Sequence, residues 1–242
     1  MRGRPRGAPG GSPALLLAAL AVFVLVTVDV LAGGPLAHLD TAVSDWARST
    51  GLPGLGWRRP GQMEADQLVN FGDREIVGSI VLVAVGWICL RARTVLPLLR
   101  LAVLAVVAAS IVLAFKYGIG RPAPSGVHGP EALRSYPSGH TATAVILWGM
   151  LYSVAAEYPQ YAVSRQVAWL LSWLGPLLVM VGMVLRDYHW TTDLVGAVAL
   201  CTVLLQAERL ALRHWRDARR GPGFADRARD GTAAVGSAPG PG

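Results

Sequence analysis

Charged side chains are scarce in this sequence of 242 residues. Asp, Glu, Lys and Arg make up only 15% of it, whereas 53% of the residues are hydrophobic and the mean hydropathy is +0.44. A soluble domain carries roughly 25% charged residues, so this composition indicates a surface that largely faces a lipid bilayer. The high hydrophobic fraction also excludes a chain that is disordered as a whole.

Cysteine and lysine are rarer still. The two cysteines, Cys89 and Cys201, lie in apolar runs, which excludes a disulfide scaffold and indicates small buried hydrophobic residues. Lys116 is the single lysine among 22 basic residues, and the other 21 are arginine. A general preference for arginine explains those 21, whereas the one position that retains lysine is a candidate for a specific role.

Apolar segments with few or no charges alternate with short polar segments along the chain. A helix of about 20 residues crosses the roughly 30 Å hydrocarbon core of a bilayer. We therefore predict an all-α, polytopic membrane protein, a bundle of six transmembrane helices. The predicted segments are Pro13–Gly33, Ile76–Leu90, Leu98–Phe115, Thr141–Ala156, Val167–Leu185 and Leu194–Leu212.

The distribution of basic residues predicts the orientation, because cytoplasmic loops collect Lys and Arg. With the N-terminus inside, fourteen of the 22 basic residues lie inside. We expect a multi-pass cell-membrane protein with both termini cytoplasmic. The net charge of +7 reflects this orientation. The basic residues form no continuous stripe, so no nucleic-acid partner is predicted. Alternatively, the first 37 residues are a cleaved signal peptide.

These segments divide the chain into three parts. A basic N-terminus covers residues 1–12, the membrane domain covers 13–212 with an external segment at 34–75, and a disordered cytoplasmic tail covers 213–242. In the external segment, helical spacing predicts an interfacial amphipathic helix, with an ordinary packed helix as the alternative. Its apolar face comprises Leu39, Val43, Trp46 and Ala47, opposite Asp40, Asp45 and Arg48.

The first polar loop of interest follows the third apolar segment. It begins at Lys116, continues through Arg121, and ends at Ser138-Gly139-His140, where the fourth apolar segment starts. A helix start offers free backbone N–H groups and the positive end of the helix dipole, and here a hydroxyl and an imidazole accompany them. Together with the cations Lys116 and Arg121, this pattern predicts an oxyanion-binding site.

The second polar loop contains Arg186, His189 and Asp193, just before the last apolar segment. If that helix extends back to the loop, His189 and Asp193 are four residues apart on one face, so the carboxylate orients the imidazole. His189 is then a candidate nucleophile and His140 a candidate general acid. Two histidines without clustered carboxylates or cysteines do not predict a metal site, so neither a metal nor another cofactor is expected.

Each of these residues has a simpler explanation. A histidine at a membrane interface is commonly an amphipathic anchor, and Ser138 and Asp193 are residue types that cap helices. The two histidines, the two capping residues and the single lysine nevertheless fall at one predicted membrane face. That coincidence favours a catalytic site.

The order of these residues resembles the type 2 phosphatidic acid phosphatase family, which shares its core with vanadium haloperoxidases. The resemblance rests on Lys116 with Arg121-Pro122, on Pro137-Ser138-Gly139-His140, and on His189-x-x-x-Asp193, and it covers roughly Leu39–Leu212. It implies a six-helix, metal-independent membrane phosphatase with an external site and a phosphohistidine intermediate. It also implies roles for six residues: His189 as nucleophile, Asp193 as its orienter, His140 as general acid, and Lys116, Ser138 and Gly139 as phosphate ligands.

The sequence departs from the family pattern at two arginines. Ala123 and Met183 occupy the positions where the family has phosphate-binding arginines. Arg121 lies two residues before Ala123 in an extended Pro-containing segment, and Arg186 lies three residues after Met183 near a helix end, so both side chains are expected to reach the phosphate. Replacing either arginine by alanine is then expected to lower hydrolysis about tenfold or more.

The sequence therefore predicts a membrane lipid phosphatase that acts on a lipid phosphate or a polyprenyl diphosphate at the external face, with the bilayer and a membrane lipid as its partners. The oligomeric state is not predicted. A non-catalytic lipid-phosphate binder is the main alternative, because two arginines are displaced. A haloperoxidase and a transporter that uses Asp29 are less favoured.

Overall fold

The computed structural model describes residues 10–53, 61–124, 133–162 and 164–220, and within these ranges the chain forms helices and no strand. A 3₁₀ turn at Asn70–Gly72 joins the third and fourth α-helices. The helices are α1 (Pro13–Ala32), α2 (Leu36–Ser49), α3 (Gln62–Val69), α4 (Arg74–Ala92), α5 (Leu96–Ile119), α6 (Gly139–Glu157), α7 (Arg165–Leu185) and α8 (Thr191–Arg220). The predicted all-α class is confirmed.

All six predicted apolar segments are helices, and five of them, α1, α4, α5, α7 and α8, are long and apolar enough to cross a membrane. The remaining one, α6, lies at the centre of the bundle and packs against α4, α5, α7 and α8. Fourteen of its 19 residues are buried. The other helices of the bundle therefore surround α6.

Local sequence signals explain where the helices begin and end. Ser12 caps α1 and is followed by Pro13, while the Asp73 carboxylate caps α4 by accepting hydrogen bonds from two N–H groups of its first turn. Gly33 and Gly120 end α1 and α5 at φ of +60° and +61°, a conformation that glycine adopts without strain. Gly120 thereby directs the chain into the loop that contains Arg121.

The short helices α2 and α3 lie at one end of the bundle, next to the described loop residues Arg121 and Arg186, and we call this the site end. There the N–H of Ser138 donates to the carbonyl of Asp193, at 3.1 Å, and joins the loop before α6 to the start of α8. At the opposite end, the N–H of Ser12 donates to the side chain of Gln206, at 2.9 Å. The start of α1 and the second half of α8 therefore lie together, away from the site end.

The orientation of α2 differs from the sequence expectation. Leu39 and Trp46 are exposed, as expected for an apolar face turned to the membrane interface, but Asp40 and Ala47 both face the protein. Ala47 is small enough to pack closely there, and Asp40 is drawn inward by hydrogen bonds to Arg121 and to the start of α8. The prediction that Ala47 shares the apolar face was wrong.

The last helix is longer than predicted. Residues 213–220, assigned from sequence to the disordered tail, continue α8 to Arg220. Arg216 explains part of this extension, because its Nη2 donates to the buried Glu157 carboxylate at 2.6 Å. An exposed pair, Arg213 and Asp217 at 3.9 Å, adds an i,i+4 contact. The rest of the predicted tail, 221–242, lies outside the described residues, as does most of the predicted N-terminal part, 1–9.

Candidate active site

His189 is held by the first turn of α8. Its Nδ1 lies 3.2 Å from Oδ2 of Asp193, and the same oxygen accepts a hydrogen bond of 3.1 Å from the N–H of Trp190, the residue before the helix. The side chain of the third helical residue thus bonds back to the N–H of the residue before the helix, as in one half of a capping box, and this fixes the carboxylate next to the ring. The Asp193 side chain is fully buried and that of His189 is 12% exposed. Assigning the proton to Nδ1 leaves the Nε2 lone pair available as a nucleophile.

The other oxygen of Asp193 is bound by Arg121. Its Nη1 donates to Oδ1 of Asp193 at 2.6 Å, and its Nη2 donates to Oδ2 of Asp40 at 2.7 Å. One guanidinium is therefore shared between two carboxylates, both of them buried. Charge-assisted hydrogen bonds of this kind restrict rotation of the Asp193 carboxylate.

The first turn of α6 presents unused backbone donors. The hydroxyl of Ser138 caps the helix by accepting from the N–H of Thr141 at 3.4 Å, and the Ser138 side chain is fully buried. Among the described residues, no hydrogen bond uses the N–H of Gly139 or His140. These two donors lie at the positive end of the helix dipole, where an anion is stabilised.

The loop before α6 is anchored by Tyr136. Its side chain is fully buried, and its hydroxyl lies 2.7 Å from the hydroxyl of Thr27 on α1. A β-carbon on Gly196 would lie 2.5 Å from the Tyr136 hydroxyl, so α8 needs a glycine at this position. Burial raises the pKa of Tyr136, which therefore serves as a neutral hydrogen-bonding anchor rather than as a charge.

Lys116 lies beside the first turn of α6. Its Nζ donates to the carbonyl of Arg134 at 2.5 Å, and its Cε would be 3.9 Å from a β-carbon built on Gly139. The last turn of α5 therefore places the only lysine of the chain next to the unused N–H groups.

A cavity of about 980 Å³ brings these groups together. Lys116, Gly139, His140 and His189 line its polar part, and the His140 side chain is exposed to it. The remainder lies between α4, α5 and α6, and its lining on α4 and α5 consists mainly of small or apolar residues: Gly78, Ala105, Ala108, Ala109, Val112 and Leu113. Cavities of this size and mixed lining are typical of ligand sites.

The two arginines expected to replace missing phosphate ligands are placed elsewhere. Neither Arg121 nor Arg186 lines the cavity. Arg186 is 2% exposed; its Nε lies 2.8 Å from Oδ1 of Asp66, and its other amines donate to the carbonyl of Leu52 and the hydroxyl of Tyr188. Carboxylates on α2 and α3 hold both guanidiniums, which explains why neither arginine reaches the cavity, contrary to the expectation from sequence. Ser138 does not line it either, because its hydroxyl is the buried cap.

Arg74 is a cavity residue that the sequence motifs do not indicate. It begins α4 and lines the cavity with the histidines, and its guanidinium forms no hydrogen bond or ion pair with any described residue. A β-carbon on Gly72 would lie 2.5 Å from the carbonyl of His140, so the turn before Arg74 packs directly on α6. The charge of Arg74 interacts electrostatically with His140, as do the charges of Asp73 and Lys116. A charged residue before an apolar segment was the only signal in the sequence.

Comparison with known proteins identifies the family. The model of the PAP2 superfamily matches residues 97–217, which is half of the chain. The chain belongs to the PAP2 superfamily. The matched range contains Lys116, the start of α6, His189 and Asp193, whereas Asp40 and Arg74 lie outside it. The family predicted from the motifs is thus confirmed.

A solved structure shows the same fold in a PAP2 protein. The crystal structure of the first transmembrane PAP2 type phosphatidylglycerolphosphate phosphatase from Bacillus subtilis is similar with a TM-score of 0.58. The two proteins are 18% identical, and the match covers 84% of this chain and 98% of that chain. The predicted membrane fold is therefore confirmed. No curated protein matches the sequence.

Proposed function

We propose that this PAP2 protein is a membrane lipid phosphatase that removes the terminal phosphate from a lipid phosphate or a polyprenyl diphosphate. The observation that carries the proposal is the cavity itself. Its polar part contains an oriented histidine, a second histidine, a lysine and a helix N-terminus, and it continues into an apolar groove between α4 and α5. A phosphate on a lipid tail matches both parts.

The phosphate is bound first, at the start of α6. The N–H groups of Gly139 and His140 donate to its oxygens, and Lys116 neutralises part of its charge. Arg74 supplies a second cation from α4, in place of the arginines that the family has at Ala123 and Met183. Asp73 is already engaged as the cap of α4, so its carboxylate is partly neutralised.

Phosphoryl transfer then proceeds through His189. Its Nε2 attacks phosphorus, the P–N bond forms, and the P–O bond to the lipid breaks. Asp193 stabilises the positive charge that develops on the imidazole. His140 donates a proton to the leaving lipid oxygen and afterwards removes a proton from the water that attacks the phosphohistidine. Cleavage of the P–N bond releases inorganic phosphate and restores His189.

The lipid tail lies in the groove between α4 and α5. A second cavity of about 570 Å³ shares Arg74, Gly78 and Ala105 with the first and extends along the two helices to Leu98 and Leu101. The small glycine and alanine residues leave room for an acyl or prenyl chain. Both helices expose other large apolar residues, so the groove adjoins the bilayer from which such a substrate comes.

The orientation of the protein determines where the reaction occurs. The start of α1 and the end of α8 lie opposite the site end, and the arrangement of basic residues favours cytoplasmic termini. We therefore place the cavity at the extracytoplasmic face of the cell membrane. In sealed cells, a protease should remove an epitope tag at the C-terminus only after the membrane is permeabilised.

Phosphate release from purified protein tests the function. The substrates are phosphatidic acid, phosphatidylglycerol phosphate and a polyprenyl diphosphate, each with wild type and with His189→Ala, and with vanadate as inhibitor. We expect wild type to release phosphate from at least one lipid in the presence of EDTA, since every step uses only protein groups and water. His189→Ala should be inactive. Release that persists in this variant would rule out His189 as the nucleophile.

A non-catalytic lipid-phosphate binder is the second candidate. It is favoured by Met183, which lines the cavity where the family has an arginine. If the protein is such a binder, lipid phosphate or vanadate should raise its thermal unfolding temperature, yet it should release no phosphate from any of the three lipids.

A further inference from the structure

Asp40 has an unusually complete set of hydrogen bonds for a residue on an external helix. It is 2% exposed. Its Oδ1 accepts from the N–H of Thr192 at 2.9 Å, and its Oδ2 accepts from the Thr192 hydroxyl at 2.6 Å and from Nη2 of Arg121 at 2.7 Å. A buried carboxylate with three donors is fixed in position, and it joins α2 to the first turn of α8.

From Asp40 the contacts continue to His189. Arg121 binds Asp40 with one terminal amine and Asp193 with the other, and Asp193 uses its remaining oxygen to hold Nδ1 of His189 at 3.2 Å. Arg121 Nη1 also donates to the Thr192 hydroxyl at 2.6 Å. Four side chains therefore form one continuous chain from α2 to the imidazole that lines the cavity.

The chain has a mechanical consequence for Asp193. An arginine side chain has several rotatable bonds, so Arg121 fixes Asp193 only if its own guanidinium is fixed. Asp40 provides that restraint on the opposite side of the guanidinium. At metal sites, where outer partners orient histidine ligands in the same way, replacing such a partner typically changes affinity or activity 10- to 100-fold.

We propose that Asp40 is a positioning residue for His189, acting through Arg121 and Asp193. The proposal rests on the phosphatase function proposed above. It accounts for an arginine that lies near the site without lining the cavity, and for a carboxylate on the side of α2 that faces the protein. It assigns a role to α2, which lies outside the range matched by the family.

Asp40→Asn tests the proposal, because it keeps the size of the side chain and turns one acceptor into a donor that faces other donors. We expect kcat for lipid phosphate to fall about 10- to 100-fold. KM should change little, since the groups that line the cavity are untouched. The matched control is Asp45→Asn on the exposed side of the same helix, for which both constants should equal those of wild type.

A double-mutant cycle separates positioning from a general loosening of α2. If Asp40 acts through Arg121, then Asp40→Asn combined with Arg121→Gln should lower kcat by about as much as the more damaging single change. Losses that multiply would contradict the proposal, as would a kcat for Asp40→Asn equal to that of wild type. Thermal unfolding in the same detergent identifies variants that fail to fold. Should Asp40→Asn be one of them, Asp40→Glu replaces it, with a lower kcat and an unchanged KM expected.

A spectroscopic measurement makes the proposal independent of turnover. In protein labelled with ¹⁵N-histidine, the Nδ1–H signal of His189 is assigned by its loss in His189→Gln. We expect that signal to shift in Asp40→Asn and to stay in place in Asp45→Asn; an unchanged signal in Asp40→Asn would overturn the proposal. If wild type releases no phosphate from any lipid, the proposed function fails, and this spectrum still decides whether Asp40 positions the imidazole.

Discussion

Each end of the bundle contains a buried carboxylate that is bound by arginines. At the site end, Arg121 lies between Asp40 and Asp193. At the opposite end, Arg100 lies between Glu157 and Glu208, at 2.7 Å and 2.6 Å, and Glu157 also accepts from Arg216 at 2.6 Å. The side chains of Asp193 and Glu157 are both fully buried, so each carboxylate depends on its partners for stabilisation.

The two networks differ in how the central carboxylate uses its oxygens. Both oxygens of Glu157 bind arginines, so the network joins α5, α6 and α8 and leaves no Glu157 oxygen for another group. Asp193 binds an arginine with one oxygen only and leaves the other for His189. The same pairing of residue types therefore fastens helices at one end and holds the His189 ring at the other. Breaking each network should accordingly change different properties.

The largest effect is expected at Asp193. Asp193→Asn removes the acceptor that holds Nδ1 of His189 and favours the wrong ring tautomer, so kcat should fall by about 10³-fold or more. KM should change much less. Steady-state phosphate release and thermal unfolding of the same preparation measure both properties. A kcat within tenfold of wild type, in a folded variant, would show that His189 does not need Asp193.

The opposite network should respond to Glu157→Gln with a loss of stability. Arg100 and Arg216 lose the charge of a buried carboxylate that they share, which typically costs about 3–5 kcal/mol of unfolding free energy. The kcat per folded molecule should stay at the wild-type value, because the network lies at the other end of α6 from His140. Denaturant titration in detergent measures the first quantity, and a lower kcat in the folded fraction would contradict the separation of the two ends.

The sequence predicts the fold more completely than the site. Long apolar runs and capping residues such as Ser12 and Asp73 are local signals, and they locate all six long helices to within a few residues except at the end of α8. The pairing of His189 with Asp193 is also local, because four residues on a helix share a face. For these features the tertiary structure adds distances but does not change the interpretation.

The arginines could not be placed from sequence because their partners are distant in the chain. The spacing of Arg121 and Arg186 from the family positions suggested that both reach a phosphate. That spacing carried no information on Asp40 and Asp66, which lie on α2 and α3 and pair with the two arginines. The sequence does not indicate Arg74 for the same reason, because only the packing of Gly72 against α6 brings this side chain to the cavity.

Arg74 provides a smaller and more selective change at the site end. Arg74→Gln removes a cation that lines the cavity without touching either network, so KM should rise about tenfold, the value of one charge-assisted hydrogen bond, while kcat is largely retained. Inhibition by vanadate should weaken in parallel. Arg134→Gln is the matched control, because Arg134 stacks on Tyr117 at the same end and does not line the cavity. An unchanged KM in Arg74→Gln would remove Arg74 from the phosphate site.

The smallest expected effect separates the two roles within the site end itself. Ser138 was predicted to bind phosphate, yet its buried hydroxyl caps α6. Ser138→Ala should therefore lower the unfolding free energy by about 1 kcal/mol, the usual contribution of such a cap. KM should not change, because the N–H groups of Gly139 and His140 remain in place. If instead KM rises severalfold while stability is unaffected, the hydroxyl turns toward the phosphate when substrate binds, and Ser138 belongs with Lys116 rather than with the residues that only fasten the helix.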